Sequence, residues 1–288
     1  MRQSELSRRL IGPPVVRLDG DDRRQVRDRL RSELGRATES LPPGRELAVS
    51  LPTIRRARIQ PELLSVPEEP FGWKPMFSRR SLGLAAVSAC HQGRFRTPSE
   101  AVGPVAAEAV AAWERTGWRT FHWEPWMAGL APGARAMVLA EAATWATALW
   151  SMFDWRMVGP LAQFGGEEDQ WVYSDGRTVR LKARPEVRLP LVGSQSQSRF
   201  SGGERTALVS LSGGGPGDGW EQDLAYLALV ATLRSPTRPI PGRVMGIWPD
   251  AGQHRIVEID QQGLMAGVDC VVATVRAVLD ARHSKAGG

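Results

Sequence analysis

Thr178-Val-Arg-Leu-Lys-Ala-Arg-Pro-Glu-Val-Arg-Leu189 is the stretch that decides the fold. Val179, Leu181, Ala183, Pro185, Val187 and Leu189 alternate with Lys182, Arg184, Glu186 and Arg188. A strand places successive side chains on opposite faces, so this alternation predicts one long strand with an apolar face and a charged one. Upstream, Trp171 to Tyr173 reads as a strand, joined to it by the turn signal Ser174-Asp175-Gly176-Arg177. Downstream, residues 193–203 are a polar loop and Thr206 to Leu211 is a further strand. The glycine-rich segment 213–219 breaks that strand and leads to a helix over Trp220–Leu233. Arg243–Trp248, the turn Pro249-Asp250-Ala251-Gly252 and His254–Ile259 read as a hairpin, and Leu264–Ala281 as a closing amphipathic helix.

The first half of the chain is helical in pattern. Residues 1–19 read as a loose arm. Asp21 to Gly35 is a charged helix with Val26, Leu30 and Leu34 on one stripe. Leu47 to Leu51 is a short strand, and Ser65 to Pro75, with three prolines, is a linker. Ser81 to His91 is an apolar helix. Thr97-Pro-Ser-Glu100 is a capping box opening a helix over Ala101–Trp113, although Pro104 falls in its first turns. Pro132-Gly133 opens a helix over Ala134–Phe153, with Met137, Glu141, Trp145 and Leu149 at i+4 spacing. From residue 134 the order is α β β β α β β α. The expected organisation is a basic N-terminal helical extension and linker over 1–75, then 76–288 as a helical region with an α/β core at about 134–260.

Charge separates these regions. Among 288 residues there are 37 Lys+Arg and 31 Asp+Glu. Residues 1–100 hold 19 and 12 of them, a net of +7; residues 101–288 hold 18 and 19, a net of −1. A basic lobe points to an acidic partner, nucleic acid first. Arg outnumbers Lys 34 to 3, so a compositional bias toward arginine explains the same excess. No stretch of about 18 apolar residues and no apolar leader occurs, so a cytoplasmic protein without a membrane partner is expected.

Several chemistries are excluded. The 213–219 glycines precede no Gly-Lys-Ser/Thr and lack the spacing of a dinucleotide fingerprint. His91, His122, His254 and His283 form no metal-binding pair, and two cysteines, Cys90 and Cys270, cannot build a thiolate zinc site. Seven of eleven tryptophans lie between Trp113 and Trp155. Trp145, Trp150 and Trp155 are five apart, so they point around a helix and serve packing rather than one stacking platform.

Four segments share one order: Leu181-Lys-Ala-Arg-Pro-Glu-Val-Arg-Leu189, Leu208-Val-Ser-Leu-Ser-Gly213, Gln222-Asp-Leu-Ala-Tyr226 and Arg243-Val-Met-Gly-Ile-Trp-Pro249. The arrangement over about 134–260 resembles the PD-(D/E)XK nuclease superfamily, in its RecB-type exonuclease branch. The resemblance implies a restriction-endonuclease-like mixed sheet flanked by helices. Thr178–Leu189, Thr206–Leu211 and Arg243–Trp248 would then share one sheet. It also implies two carboxylates holding a divalent metal, usually magnesium, a lysine two residues after the second, and a helix acid. By position Glu186 stands for the first carboxylate, Ser210 for the second and Ser212 for the lysine; Gln222 and Tyr226 match the helix motif, and Glu141 the helix acid. The motif is therefore degenerate, since a serine is neither an anionic ligand nor a cation.

The expectation is a nuclease-fold nucleic-acid-binding protein of DNA processing, repair or defence that is catalytically impaired and needs no cofactor. Gln222 and Tyr226, with Arg23, Arg24, Arg27 and Arg31, would contact nucleic acid. One alternative is an active magnesium-dependent nuclease using Glu141 and Glu186 as metal ligands and Lys182 in place of the missing lysine. Another is a protein-interaction subunit that reuses the fold.

Overall fold

A computed structural model describes residues 3–286 except 17, 42–44, 67–71, 120, 160–161, 165–169, 175–177, 192–205 and 238. Residues 175–177 of the expected 174–177 turn, the expected 193–203 loop and residues 67–71 of the 65–75 linker therefore lie outside the described residues. In chain order the elements are α1 (Gln3–Ile11), α2 (Gly20–Ala37), β1 (Leu47–Ser50), α3 (Leu51–Ile59), α4 (Pro75–His91), α5 (Pro98–Thr116), α6 (Glu124–Ala128), α7 (Pro132–Met152), α8 (Trp155–Val158), β2 (Gln163–Phe164), β3 (Trp171–Ser174), β4 (Val179–Ala183), β5 (Val187–Pro190), β6 (Thr206–Leu211), α9 (Trp220–Leu233), β7 (Arg243–Trp248), β8 (Gln253–Glu258) and α10 (Gln261–Ala286). The architecture is α/β, with mixed sheets flanked by helices. Among the described residues no helix is long and apolar enough to cross a membrane.

The strands form two sheets rather than the single one expected. One has the order β1-β4-β3, the other β2-β5-β6-β7-β8. The alternating stretch 178–189 is divided between them. Val179, Leu181 and Ala183 on β4 bury in a core with α2, α9 and α10, whereas Val187 and Leu189 on β5 bury in a second core with α1 and the end of α7. The break falls at Arg184-Pro185-Glu186, where proline offers no N–H to a ladder. The Glu186 N–H then pairs with the Val209 carbonyl at 3.0 Å, starting the second sheet. A strand that turns a corner between sheets keeps its period of two, so the sequence pattern alone does not reveal the turn.

β6 and β7 run parallel, joined through α9, while the other pairings of the five-stranded sheet are antiparallel. α9 is buried almost all round, from Asp223 to Leu233, because it is sandwiched against the sheets and α10. Parallel pairing requires such a crossover.

Among the described residues of the N-terminal segment, α1, α2, β1 and α3 pack into these cores. β1 pairs parallel to β4, with Val49 opposite Leu181. Val26, Leu30 and Leu34 of α2 are fully buried against the α9–α10 layer. The loose arm expected at 1–19 contains α1, whose Leu6 and Leu10 enter the second core. The buried Arg243 guanidinium donates to the carbonyls of Arg9, Leu10 and Pro13, closing the C-terminal end of α1. Asp19 and Asp22 form a reciprocal capping box at α2.

α5 starts with Thr97 accepting from the Glu100 N–H and carries Pro104 without interruption. On α7 the buried stripe is Val138, Ala142, Trp145, Ala146 and Leu149, leaving Met137 65% exposed. Repeated i+4 steps drift around a helix of 3.6 residues per turn, so 137 and 141 leave the face that 145 and 149 occupy.

Candidate functional site

β6 ends at Leu211, and the Ser212 N–H continues the parallel ladder to the Ile247 carbonyl at 2.9 Å. The glycines beyond Ser212 then return the chain to α9. The C-terminal ends of parallel strands are where open α/β sheets leave a crevice, because the chain departs there to opposite sides. In this protein α3 and α4 bring arginines over that end.

Asp223, in the first turns of α9, accepts from Arg55 Nε at 2.7 Å and from Arg58 at 3.2 Å. Arg55 also donates to Ser212 Oγ at 3.2 Å. Arg58 donates to the Gly219 carbonyl and to Gln222 Oε1, each at 3.1 Å. Gly219 has φ +81°, and a Cβ there would lie 2.4 Å from the Arg58 guanidinium carbon. Glycine is thus required both for the turn into α9 and for Arg58's approach.

Glu186 lies on the other side of β6. Its Oε2 accepts the Leu211 N–H at 2.9 Å, and Oε1 is ion-paired with Arg80 of α4. Burial, followed by the nearby Arg55 and Arg184 charges, lowers the Arg80 pKa to about 10. Four guanidiniums, of Arg55, Arg58, Arg80 and Arg184, therefore gather around two carboxylates, Glu186 and Asp223. Beyond them Arg79 pairs with Asp250 at 3.0 Å, and Asp250 also accepts the Gly214 N–H.

Beside Arg80, Arg184 and Glu186 opens a groove of about 1030 Å³ between α4, α5 and the β2 edge. Its wall carries Trp73, Phe77, Phe121 and Phe164, with Ser88 and Gln92 among them. Phe121 stacks on Trp123 at 5.4 Å, and Phe164 on Trp155 at 6.3 Å.

The residues singled out from sequence separate on this frame. Ser212 and Gln222 enter the arginine network, and Glu186 enters it through Arg80. Ser210 is half-buried on β6 opposite Gly246 of β7. Glu141 is exposed on α7 and does not line the groove. Lys182 sits on β4, in the other sheet from Glu186, so the strand face expected to join them is broken by the 184–186 corner. Tyr226 is fully buried, which places it in the core rather than at a nucleic-acid surface. Its hydroxyl donates to the Val49 or Lys182 carbonyl, at 2.7 and 2.8 Å, and accepts the Lys182 N–H at 3.0 Å. Arg23 is 6% exposed and donates to the Pro236 carbonyl, so it too belongs to the interior. Arg24, paired with Asp21, and Arg31 are exposed, and Arg27 is half-buried.

The donor set does not suit magnesium. That ion wants several anionic oxygens in octahedral array. Glu186 already serves a backbone N–H and a guanidinium, Ser210 and Ser212 are neutral, and among the described residues no three His, Cys, Asp or Glu side chains are grouped to hold a metal.

The residues that the sequence reading missed are Arg55, Arg58, Arg80, Arg184 and Asp223. Arg55 and Arg58 share a helix face at i, i+3, and Asp223 stands next to Gln222; both signals were present but carried no partner until the fold joined α3 to α9. The sequence matches no family model, and no curated protein matches it.

Proposed function

We propose that this chain is a nuclease-like, non-cleaving protein that binds nucleic acid through the arginine cluster at the ends of β6 and β7. The observation that supports this is the exchange of partners at the motif positions. Glu186 and Asp223 are held by Arg80, Arg55 and Arg58, with Arg184 adding further positive charge. A site of that composition attracts a phosphate oxygen rather than a metal ion, since guanidinium groups match phosphate geometry and retain their charge. The resemblance to PD-(D/E)XK nucleases enters this proposal only for β5, β6, α9 and β7, because the single sheet that it implies for 178–189 is divided at Pro185. Within that part the cleavage machinery would be lost through Ser210 and Ser212.

The test is incubation of the full chain with labelled single- and double-stranded DNA, with and without magnesium or manganese. Binding that weakens steeply with salt, without cleavage, supports the proposal, because phosphate contacts release condensed counterions. Metal-dependent cleavage abolished by Glu186→Ala would overturn it in favour of an active nuclease.

A protein-interaction role is favoured by one separate observation: Met76 and Phe77, adjacent on α4, are 56% and 40% exposed. Absence of nucleic-acid binding in low salt would select that role.

A further inference from the structure

We propose that the groove beside Arg80 and Arg184 receives an unpaired nucleobase, so that the ligand is single-stranded nucleic acid with its phosphates on the arginines. This rests on the nucleic-acid reading and specifies which form is bound. Two different kinds of surface meet in the groove. One end carries Arg80 and Arg184, with Arg55 behind them. The wall carries the rings of Trp73, Phe77, Phe121 and Phe164.

Charge complementarity fixes the class of occupant. At the groove itself Arg80 and Arg184 face one carboxylate, Glu186, which leaves a surplus of one positive charge, and the charge of Arg55 also reaches Arg80. At the far end Arg94 pairs with Glu108, which cancels. The surplus therefore sits at one end, where an anionic group is favoured. The rest of the groove offers aromatic faces with polar groups of Ser88, Gln92 and Gln170 among them, which suits a flat ring that also carries hydrogen-bonding edges. A nucleotide in a single strand has that division: a charged phosphate and a base with an exposed π-face.

The wall is also held in place for this. Phe121 is backed by Trp123, and Phe164 by Trp155 and by His91 at 5.7 Å, so these rings lose little freedom when a base packs on them. A paired base presents its face only to its neighbours in the stack. A duplex could reach the arginines but not fill the groove, and would leave Phe77 exposed.

The experiment measures anisotropy at low salt with three labelled probes: a 15-nucleotide oligothymidylate, a 15-base-pair duplex, and a 15-unit abasic deoxyribose-phosphate strand. The oligothymidylate should bind at least about tenfold more tightly than the other two, within the range for one or two stacked bases. Phe77→Ala, at a ring already 40% exposed, should erase most of that preference while lowering the thermal midpoint by no more than about 4 °C. Trp118→Ala, at a 73% exposed ring outside the groove lining, should preserve it. Equal affinity for the three probes, or a preference untouched by Phe77→Ala, overturns the groove assignment while nucleic-acid binding stands. No binding of any probe overturns both.

Discussion

Tyr226→Phe separates a structural tyrosine from a ligand-contacting one. The hydroxyl of this fully buried side chain lies between β1 and β4, touching the Val49 carbonyl and the backbone N–H and carbonyl of Lys182. Phenylalanine keeps the ring and removes three contacts. A lost hydrogen bond costs about 1 kcal/mol, and a buried partner left unsatisfied costs about 1–3 kcal/mol. Strand relaxation can return part of this, so the expected loss is about 2–4 kcal/mol. For a chain of this size each kcal/mol moves the midpoint by about 2 °C, so the variant should melt about 4–8 °C lower. Thermal and urea unfolding followed by circular dichroism read this directly. Gln222→Ala, at an exposed neighbour in the same motif, should stay within about 0.5 kcal/mol of the parent. A cost below about 1 kcal/mol for Tyr226→Phe would refute the structural role of this hydroxyl. That role is equally refuted if that variant loses nucleic-acid affinity at unchanged stability, since a tyrosine riveting β1 to α9 has no route to the ligand.

Three further outcomes are expected. On α2, Arg23→Gln should destabilise the protein by about 1–3 kcal/mol because the Pro236 carbonyl loses its donor, whereas Arg24→Gln and Arg31→Gln should stay within about 0.5 kcal/mol in the same melts. Gly219→Ala should cost about 1–2 kcal/mol through its positive φ and should also push Arg58 from Asp223; unchanged stability together with unchanged binding would refute that contact. Burial favours the neutral thiol and raises Cys90 and Cys270 to about 11, above the ordinary 9.0. Between pH 9 and 11 the unfolded chain therefore holds fewer protons than the folded one, so these thiols make stability fall as pH rises through that window, and Cys90→Ala/Cys270→Ala should flatten the fall. The same thiols should react with a disulfide reagent at pH 8 far more slowly in the folded chain than in urea, since the thiolate is the reactive form.

The sequence by itself determined the type of α2, α4, α5, α7, β3, β6, α9, β7, β8 and α10, but it left α1, α3, α6, α8 and β2 unread. α9, β6 and β7 follow from local signals: a period of 3.6 or 2, a glycine-rich breaker and short β-branched runs, each readable within a dozen residues. That Ser210 and Ser212 are neutral, and so offer a metal no anionic oxygen, is likewise visible in one dimension. Only the tertiary structure decided how these pieces share their faces. The alternation of 178–189 looks the same whether its apolar side meets one core or two, and a corner at Pro185 sends β4 and β5 to different sheets. That corner parted Lys182 from Glu186. Arginine is equally ambiguous in sequence. Arg23 and Arg24 are neighbours, yet one lies inside and one outside, because a helix rotates by 100° per residue. Arg55, Arg58, Arg80 and Arg184 lie on three separate segments of chain, and became a cluster only when parallel pairing of β1 with β4 set α3 beside α9 and Arg80 met Glu186. Charge density at a site depends on distances across the fold, and no spacing along the chain encodes those distances.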